Sequence, residues 1–229
     1  MGLSIIVPVY NEEECILKCL KQINEVFKDI DFEIIVVNDG STDNSHQIIS
    51  LLTRKHSKIK YINYSKNRGY SHAIREGFKK STKKYVSFID ADLQYHPKEL
   101  LKMYNYGRRN NLQFVMGVPK TKYYRLIRRM VSFFYNNFIY FLFRIKLKDA
   151  NSLKLMARKY LKNINFQFDY GMIELETLLG FKMQGIPINT YPIEVKERRA
   201  GKSKFSIKLI YRTIRDCLKL RFSKNNLIK

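Results

Sequence analysis

Strand-like and helix-like segments alternate from residue 3 to residue 94 of the chain, and the connections between them are short. Four apolar, mostly β-branched or aromatic runs are typical of buried strands, and they cover residues 3–9, 32–37, 59–64 and 85–89. Such alternation indicates a parallel sheet with right-handed crossovers. The sequence therefore predicts an α/β fold with a mostly parallel central sheet.

Polar residues cluster where each predicted strand ends. The clusters lie at residues 10–12, 38–43, 66–69 and 90–94. Ligands of parallel sheets bind beyond the carboxyl ends of the strands, and these ends share one edge. Asn11, in the first cluster, is also expected to cap the helix that follows it. We therefore expect the functional residues along this one edge.

Two carboxylates and an amide follow the fourth predicted strand at every second position. They belong to Asp90, Asp92 and Gln94, which would point to one side if the extended geometry continued past Ile89. Three such oxygens suit a hard cation, Mg²⁺ or Mn²⁺, that takes further ligands from water and substrate phosphates. The alternative is a solvated turn at the end of a strand.

Composition narrows the choice of partners. The 229 residues carry a formal net charge of +23, which attracts polyanions such as nucleic acid, nucleotide phosphates or an anionic membrane. Hydrophobic residues at 45% exclude a disordered chain. We expect no signal peptide, because a strand begins at once, and no apolar run reaches the roughly 18 residues of a spanning helix. Of the three cysteines, Cys15 and Cys19 lie four residues apart in a helical pattern and are expected to be packed thiols in a reducing cytosol.

Five motifs carry a resemblance to a known family. They are Val-Pro-Val-Tyr-Asn-Glu at 7–12, Val-Asn-Asp-Gly-Ser-Thr-Asp at 37–43, Asn-Arg-Gly at 67–69, Asp-Ala-Asp-Leu-Gln at 90–94 and Glu-Arg-Arg-Ala-Gly-Lys-Ser-Lys at 197–204. In this order they resemble family-2 glycosyltransferases, and most of all the branch of dolichol-phosphate mannose synthases and polyprenyl-phosphate glycosyltransferases. The resemblance covers about residues 3–220.

The resemblance implies a GT-A type nucleotide-binding fold and an inverting, metal-dependent enzyme. Such an enzyme would move a hexose from a nucleotide sugar of the GDP-mannose or UDP-glucose type to a polyprenyl or dolichyl phosphate. Asp90 and Asp92 would be the catalytic residues, with Asp90 near the ribose and diphosphate and Asp92 and Gln94 holding Mg²⁺ or Mn²⁺. The donor would be bound by Pro8, Tyr10, Glu12, Asp39, Asp90, Arg199, Lys202 and Ser203.

Residues 197–204 also have the composition of a phosphate-binding loop. Gly201 lies among several bases, as a loop that embraces phosphate requires, because glycine lets the backbone approach closely. The alternative is a solvated run of charges. With the family resemblance, the phosphate-binding interpretation is favoured.

The acceptor motifs depart from those of the branch. Gly117-Val118-Pro119-Lys120 replaces the Gly-Ser-Arg of many relatives, so Lys120 or Arg125 would have to substitute for the missing arginine. Lysine is a point charge without the bidentate fork of arginine, so the acceptor geometry would differ. Asp149 and Lys154 are the remaining acceptor candidates.

Two segments are predicted to lie at a membrane surface. Residues 123–148 combine an aromatic centre with basic ends, which suits interfacial helices, although a helix buried against the sheet is the alternative. Residues 206–229 predict a basic amphipathic helix, for which core packing is equally open. We therefore divide the chain into a transferase domain at 1–205 and a C-terminal helix at 206–229. We expect a peripheral protein on the cytoplasmic face of the membrane, with a membrane-anchored partner protein as a further expectation.

Other functions remain open at this point. A glycosyltransferase acting on a glycan or protein hydroxyl is one, and the lost arginines favour it slightly. A basic nucleic-acid-binding module is another, although no nucleic-acid motif appears and acids cluster where a groove should be positive, so no nucleic acid is expected as a partner. A non-catalytic partner of another transferase is the third.

Overall fold

The fold is that of a computed structural model, which describes residues 2–120, 126–145, 152–195 and 207–228, without the side chains of 126–133 and 207–210. The strands are β1 Leu3–Val9, β2 Phe32–Asp39, β3 Ile59–Tyr64, β4 Tyr85–Phe88, β5 Phe114–Pro119, β6 Lys154–Ala157 and β7 Asn189–Ile193. The helices are α1 Ile16–Val26, α2 Ser45–Lys55, α3 Tyr70–Lys80, α4 Pro97–Arg109, α5 Leu126–Phe143, α6 Arg158–Leu161, α7 Ile173–Met183 and α8 Ile207–Ser223, with a 3₁₀ turn at Lys224–Leu227.

The strands form one seven-stranded sheet in the order β3-β2-β1-β4-β6-β5-β7. β3, β2, β1 and β4 are parallel, β5 and β7 are parallel to each other, and β6 runs antiparallel to both of its neighbours. The prediction of an α/β fold with a mostly parallel sheet is confirmed. The antiparallel β6 has a consequence for the site, because it begins at the edge where β4 ends.

Side chains alternate between two cores on the faces of the sheet. Leu3, Ile5 and Val7 of β1 pack with α1, α2 and α4 on one face, while Ile6 packs with α3, α5, α7 and α8 on the other. This alternation follows from the two-residue period of a strand. Full burial of β1 and β2 explains why both read as mostly apolar runs.

Two local expectations are wrong. β4 ends at Phe88, so residues 90–94 form a turn and not a continued strand. Asn11 does not cap α1, which begins only at Ile16 after Cys15. Asn11 instead adopts a left-handed φ of 57°, which leaves its side chain for the neighbouring loop.

Helices α5 and α8 contact each other on the second face of the sheet. Ile139 of α5 and Cys217 and Leu220 of α8 are fully buried in the core, whereas other apolar residues of both helices are exposed. One side of each helix therefore packs in the core, which was the alternative to a helix at a membrane surface for both segments. The two ends of the predicted interfacial segment, at 121–125 and 146–150, lie outside the described residues.

Candidate active site

The carboxyl ends of β1, β2 and β4 meet at one edge of the sheet. The registers place Val9 beside Asn38 and Ile6 beside Phe88, and the amide of Ile89 donates to the carbonyl of Ile6 at 2.9 Å. The predicted clusters at 10–12, 38–43 and 90–94 thus lie together. β3 ends at the same edge beside β2, which adds the cluster at 66–69.

The loops after β1 and β2 are joined by hydrogen bonds. The backbone amide of Asn11 donates to Ser41 Oγ at 3.0 Å, and Asn11 Oδ1 accepts from the amide of Thr42 at 2.8 Å. The amide of Glu12 donates to Ser45 Oγ, also at 3.0 Å. These bonds fix the backbone that carries Tyr10 and Glu12, both half-buried, at the rim of the candidate nucleotide pocket. The sequence did not reveal them, because the partners are about thirty residues apart.

Asp39 organises the next loop. Its side chain is 3% exposed, and its two oxygens accept from the backbone amides of Arg68 at 2.9 Å and Gly69 at 2.8 Å. A Cβ on Gly69, whose φ is 107°, would lie 2.5 Å from the carbonyl oxygen of Asp169. This anchoring of the 66–69 loop is a structural role beside the donor contact predicted for Asp39, which stays a prediction.

Asp90 and Asp92 lie in a tight turn after β4, both half-buried. Asp90 Oδ1 accepts from the hydroxyl of Tyr70 at 2.9 Å, and Asp92 Oδ1 accepts from the amide of Gln94 at 3.0 Å. Leu93, between Asp92 and Gln94, has a left-handed φ of 56°, a conformation that costs free energy in a non-glycine residue. The two carboxylates are thus carried by a turn that follows β4, where a continued strand was expected.

Both carboxylates affect the pKa values of neighbouring groups. Burial, with the negative charges of Asp90 and Asp92, raises the pKa of Tyr70 well above its usual value. The same causes raise the pKa of the Cys19 thiol, which is fully buried beneath the site. Tyr70 therefore stays protonated and remains a hydrogen-bond donor to Asp90. Sequence reasoning did not include Tyr70, although it directly follows the Asn-Arg-Gly cluster.

The donor atoms of this edge fit a hard divalent cation. Carboxylate and amide oxygens of Asp92 and Gln94 are the ligand types that Mg²⁺ and Mn²⁺ prefer. No group of three or more His, Cys, Asp or Glu side chains with metal-binding geometry occurs in the part of the chain that the structure describes. A metal here would consequently rely on water and the donor diphosphate for most of its ligands.

Lys154 is the acceptor candidate that the fold brings to this edge. β6 pairs antiparallel with β4, Met156 lying opposite Val86, so Lys154 comes beside the end of β4. Its side chain is 1% exposed, and Nζ donates to the carbonyl of Ser152 at 3.0 Å and lies 5.7 Å from the centre of the Phe88 ring. Lys154 is thus a buried lysine beside the end of β4.

The remaining predicted residues divide into two groups. Pro8 is buried in β1. Lys120 is exposed beyond β5, with Nζ 3.6 Å from a carboxylate oxygen of Glu194. The predictions for Arg125, Asp149, Arg199, Lys202 and Ser203 lie outside the described residues.

Comparison with known proteins agrees with this arrangement of strands. The architecture is that of a nucleotide-binding GT-A fold. The model of the glycosyl transferase family 2 matches residues 4–162, and the chain belongs to this family. The expectation of a glycosyltransferase is confirmed at this level.

Relatives within the family differ in what their names say they act on. CsbB, named as a glycosyltransferase of Bacillus subtilis, is 34% identical over 160 residues, 69% of this chain and 48% of that protein. A poly(ribitol-phosphate) beta-glucosyltransferase of Bacillus spizizenii is 34% identical over 122 residues, 52% of this chain and 19% of that protein. The dodecaprenyl-phosphate galacturonate synthase of Rhizobium johnstonii is 25% identical over 97% of this chain and 67% of its own. The chain thus spans half or less of the first two relatives.

Solved structures share the fold. Glucosyl-3-phosphoglycerate synthase from Mycobacterium tuberculosis, crystallised with Mn²⁺, UDP and glucosyl-3-phosphoglycerate, aligns with a TM-score of 0.74. The alignment covers 96% of this chain and 79% of that one at 20% identity. At this identity the likeness extends to the fold alone.

Proposed function

We propose that this chain transfers a hexose from a nucleotide sugar to a polyprenyl or dolichyl phosphate at a membrane surface, with Mg²⁺ or Mn²⁺. Family membership supports transfer of a sugar, and the name of the Rhizobium relative supports a polyprenyl-phosphate acceptor. The observation that carries the choice of a lipid acceptor is an exposed apolar surface on α5 and α8.

This surface, the α5–α8 face, consists of large apolar side chains exposed on two helices that contact each other. On α8 they recur at helical spacing, at Tyr211, Ile214, Leu218 and Phe222, with exposed fractions of 70, 43, 40 and 87%. On α5 they are Phe134 and Phe141, 66 and 72% exposed, with Tyr140 at 39%. Large apolar side chains that are exposed as a group on a protein surface mark sites of contact with a protein, a ligand or a membrane.

Positive charges accompany the α5–α8 face. Arg215, Lys219 and Arg221 are exposed on α8, and Arg144 is exposed just beyond the end of α5. Each basic residue near an anionic leaflet contributes about 1 kcal/mol. Apolar side chains with flanking bases support peripheral contact with the cytoplasmic leaflet. The described residues contain no helix with the length and hydrophobicity needed to span a bilayer.

The donor would lie across the edge formed by Pro8, Tyr10, Glu12 and Asp39. A bound divalent cation would neutralise charge on the leaving nucleoside diphosphate. Asp92 and Gln94 would hold this cation, and Asp90, fixed by Tyr70, would orient the ribose and diphosphate. Arg199, Lys202 and Ser203 would cover the diphosphate from the C-terminal side.

The acceptor needs no strong base. A lipid phosphate already carries an ionised oxygen at neutral pH, so no proton has to be removed before it attacks the anomeric carbon. Lys154, beside the end of β4, would attract that phosphate, and Lys120, Arg125 and Asp149 are the other proposed acceptor residues. A membrane-anchored partner protein would present the lipid.

The test is nucleoside diphosphate release from UDP- and GDP-sugars, with and without a polyprenyl phosphate in vesicles. Asp92→Asn is expected to lower kcat/KM about 100-fold, because it weakens the metal's hold. EDTA should abolish turnover, whereas the exposed control Asp29→Asn should leave it unchanged. Full activity of Asp92→Asn would refute the donor half of the proposal.

Membrane contact is tested separately by flotation with vesicles of phosphatidylglycerol. Phe141→Ser with Phe222→Ser should abolish flotation while leaving the melting temperature unchanged, because both side chains are mostly exposed. Leu51→Ser, exposed on α2, is the matched control. Equal flotation of all three proteins would exclude the α5–α8 face as the contact.

A hydroxyl acceptor is the second candidate, supported by the poly(ribitol-phosphate) beta-glucosyltransferase among the relatives. The same assay with a ribitol-phosphate polymer in place of the lipid distinguishes the two. Metal-dependent transfer to the polymer alone would establish this candidate and overturn the lipid acceptor.

A further inference from the structure

A basic cleft lies at the opposite edge of the sheet from the candidate active site. It has a volume of about 290 Å³ and lies where β4 begins and β6 ends. β4 runs from this cleft towards Asp90, and its length alone separates the two places by about 10 Å. The cleft is therefore distinct from the donor edge.

Five cations contribute to the cleft, and none of the residues that line it is acidic. The lining residues are Thr82, Lys83, Lys84, Gln113, Ala157, Arg158, Lys159, Lys162 and Asn163. Lys83 is paired with Asp31, while Lys159 lies 4.7 Å from the centre of the Tyr160 ring. For Arg158 and Lys162, the described part of the chain provides no ion-pair partner. Like charges gathered in this way repel each other unless an anion joins them.

The backbone holds this cluster in place. The amide of Arg158 donates to the carbonyl of Lys84 at 2.9 Å, and the amide of Ala157 donates to the carbonyl of Gln113 at 2.8 Å. Tyr85 and Ala157 are paired residues of the sheet. The cations thus project from ordered elements and not from a solvated tail.

Two buried polar atoms beside the cleft lack partners. Arg158 Nε and Gln113 Oε1 are both inaccessible to solvent and have no hydrogen-bond partner among the described residues. A guanidinium with an unpartnered buried N–H and no counter-charge costs free energy in the folded protein. An anion that approached the same guanidinium from the cleft would offset this cost.

We propose that this cleft is a second anion site, which binds a phosphate group remote from the donor edge. The phosphate could belong to a free phosphate ion or to the head group of a lipid, and both present the same oxygens. Arg158 would meet it with the planar donor set that suits phosphate, and Lys159 and Lys162 would supply point charges. Binding here does not depend on the proposed transfer reaction.

The experiment is titration of the whole chain with inorganic phosphate by isothermal calorimetry, at constant ionic strength and without divalent metal. Lys159→Gln with Lys162→Gln removes two exposed cations of the cleft, so folding should be preserved. We expect binding at least about tenfold weaker in this double variant. Lys21→Gln with Lys28→Gln removes the same charge from exposed positions on and just after α1, and should change affinity less than about twofold.

The outcomes separate a built site from general attraction. Equal loss of affinity in both double variants, or no saturable binding to the unaltered chain, would overturn the proposal. Flotation with phosphatidylglycerol vesicles identifies the source of the phosphate group. Loss of flotation in the Lys159→Gln, Lys162→Gln variant, but not in the Lys21→Gln, Lys28→Gln control, indicates a lipid phosphate. Unchanged flotation together with weakened phosphate binding indicates a free phosphate. Intact donor turnover in the cleft variant would show that this site and the donor site are separate.

Discussion

Glu176 should make the folded protein less stable as the pH rises, and Glu176→Gln should remove the effect. The side chain is fully buried, and burial raises its pKa from 4.5 to about 8. Between these values the folded chain keeps a proton that the unfolded chain has released. Stability from this group is thus complete below pH 4.5 and is lost as the pH rises towards 8, at about 1.4 kcal/mol per unit.

Two pH units, from 5.5 to 7.5, therefore correspond to about 3 kcal/mol for this single group. Glutamine should fit, because it keeps an oxygen for the amide of Gln167, which donates to Glu176 Oε1 at 2.5 Å. Its amide would occupy the position of Oε2, which is buried and has no partner among the described residues. The variant and the unaltered protein should be similarly stable near pH 5.

The assay is urea unfolding at half-unit steps from pH 5.5 to 7.5. The difference in unfolding free energy between Glu176→Gln and the unaltered protein should grow with pH in favour of the variant. Glu25→Gln, at an exposed position of α1, should run parallel to the unaltered protein. A constant difference across the range would show that Glu176 is already ionised when folded, and would refute the reasoning.

Three further predictions concern a second buried acid, Glu33, and two residues at the proposed donor site, Gly69 and Tyr70. Hydrogen bonds lower the pKa of Glu33 to about 2 in spite of its burial, so the ionised side chain stabilises the fold above pH 4.5, and this stabilisation fades towards pH 2. Glu33→Gln should therefore lower the free energy of unfolding in urea by about 3 kcal/mol at pH 7, and an unchanged urea midpoint would contradict this. Gly69→Ala should lower the free energy of unfolding by about 1–3 kcal/mol and raise the donor KM, because the φ of Gly69 is 107° and a Cβ would meet the carbonyl oxygen of Asp169. An unchanged KM and an unchanged stability would show that the variant is not strained. Tyr70→Phe should lower kcat about tenfold with little change in melting temperature, because only the hydroxyl that donates to Asp90 is lost. An unaltered kcat would show that Tyr70 does not contribute to the reaction.

The sequence predicted the elements whose side-chain pattern repeats locally. β1 and β2 are mostly apolar runs, interrupted at Ser4 and Glu33, and both lie where expected. α7 was not predicted, because it is buried on nearly all sides and has no polar face to reveal a helical period. β6 was missed for a different reason: it has only four residues and begins with a lysine.

For the candidate site, the sequence predicted where the polar clusters lie but not the contacts between them. The four polar clusters could be placed at one edge because strand direction alone decides where they go. The use of Asp39 as an anchor for the amides of Arg68 and Gly69 could not be read from the sequence. It depends on a contact between residues about thirty apart, and the bond from Tyr70 to Asp90 joins residues twenty apart.

The segment at 166–172 connects α8 to the sheet edge that carries Asp39 and Asp90. Tyr170 lies under the guanidinium of Arg212 of α8, 3.9 Å from the ring centre, and its ring also packs against Gly69. Ser71 Oγ accepts from the amides of Met172 and Ile173, which ties the end of this segment to α3. Gly69 is in turn held by Asp39, and Tyr70, the next residue, donates to Asp90. A continuous series of contacts therefore runs from α8 through Tyr170 and Gly69 to Asp39 and Asp90, and it joins the proposed membrane surface to the proposed donor site.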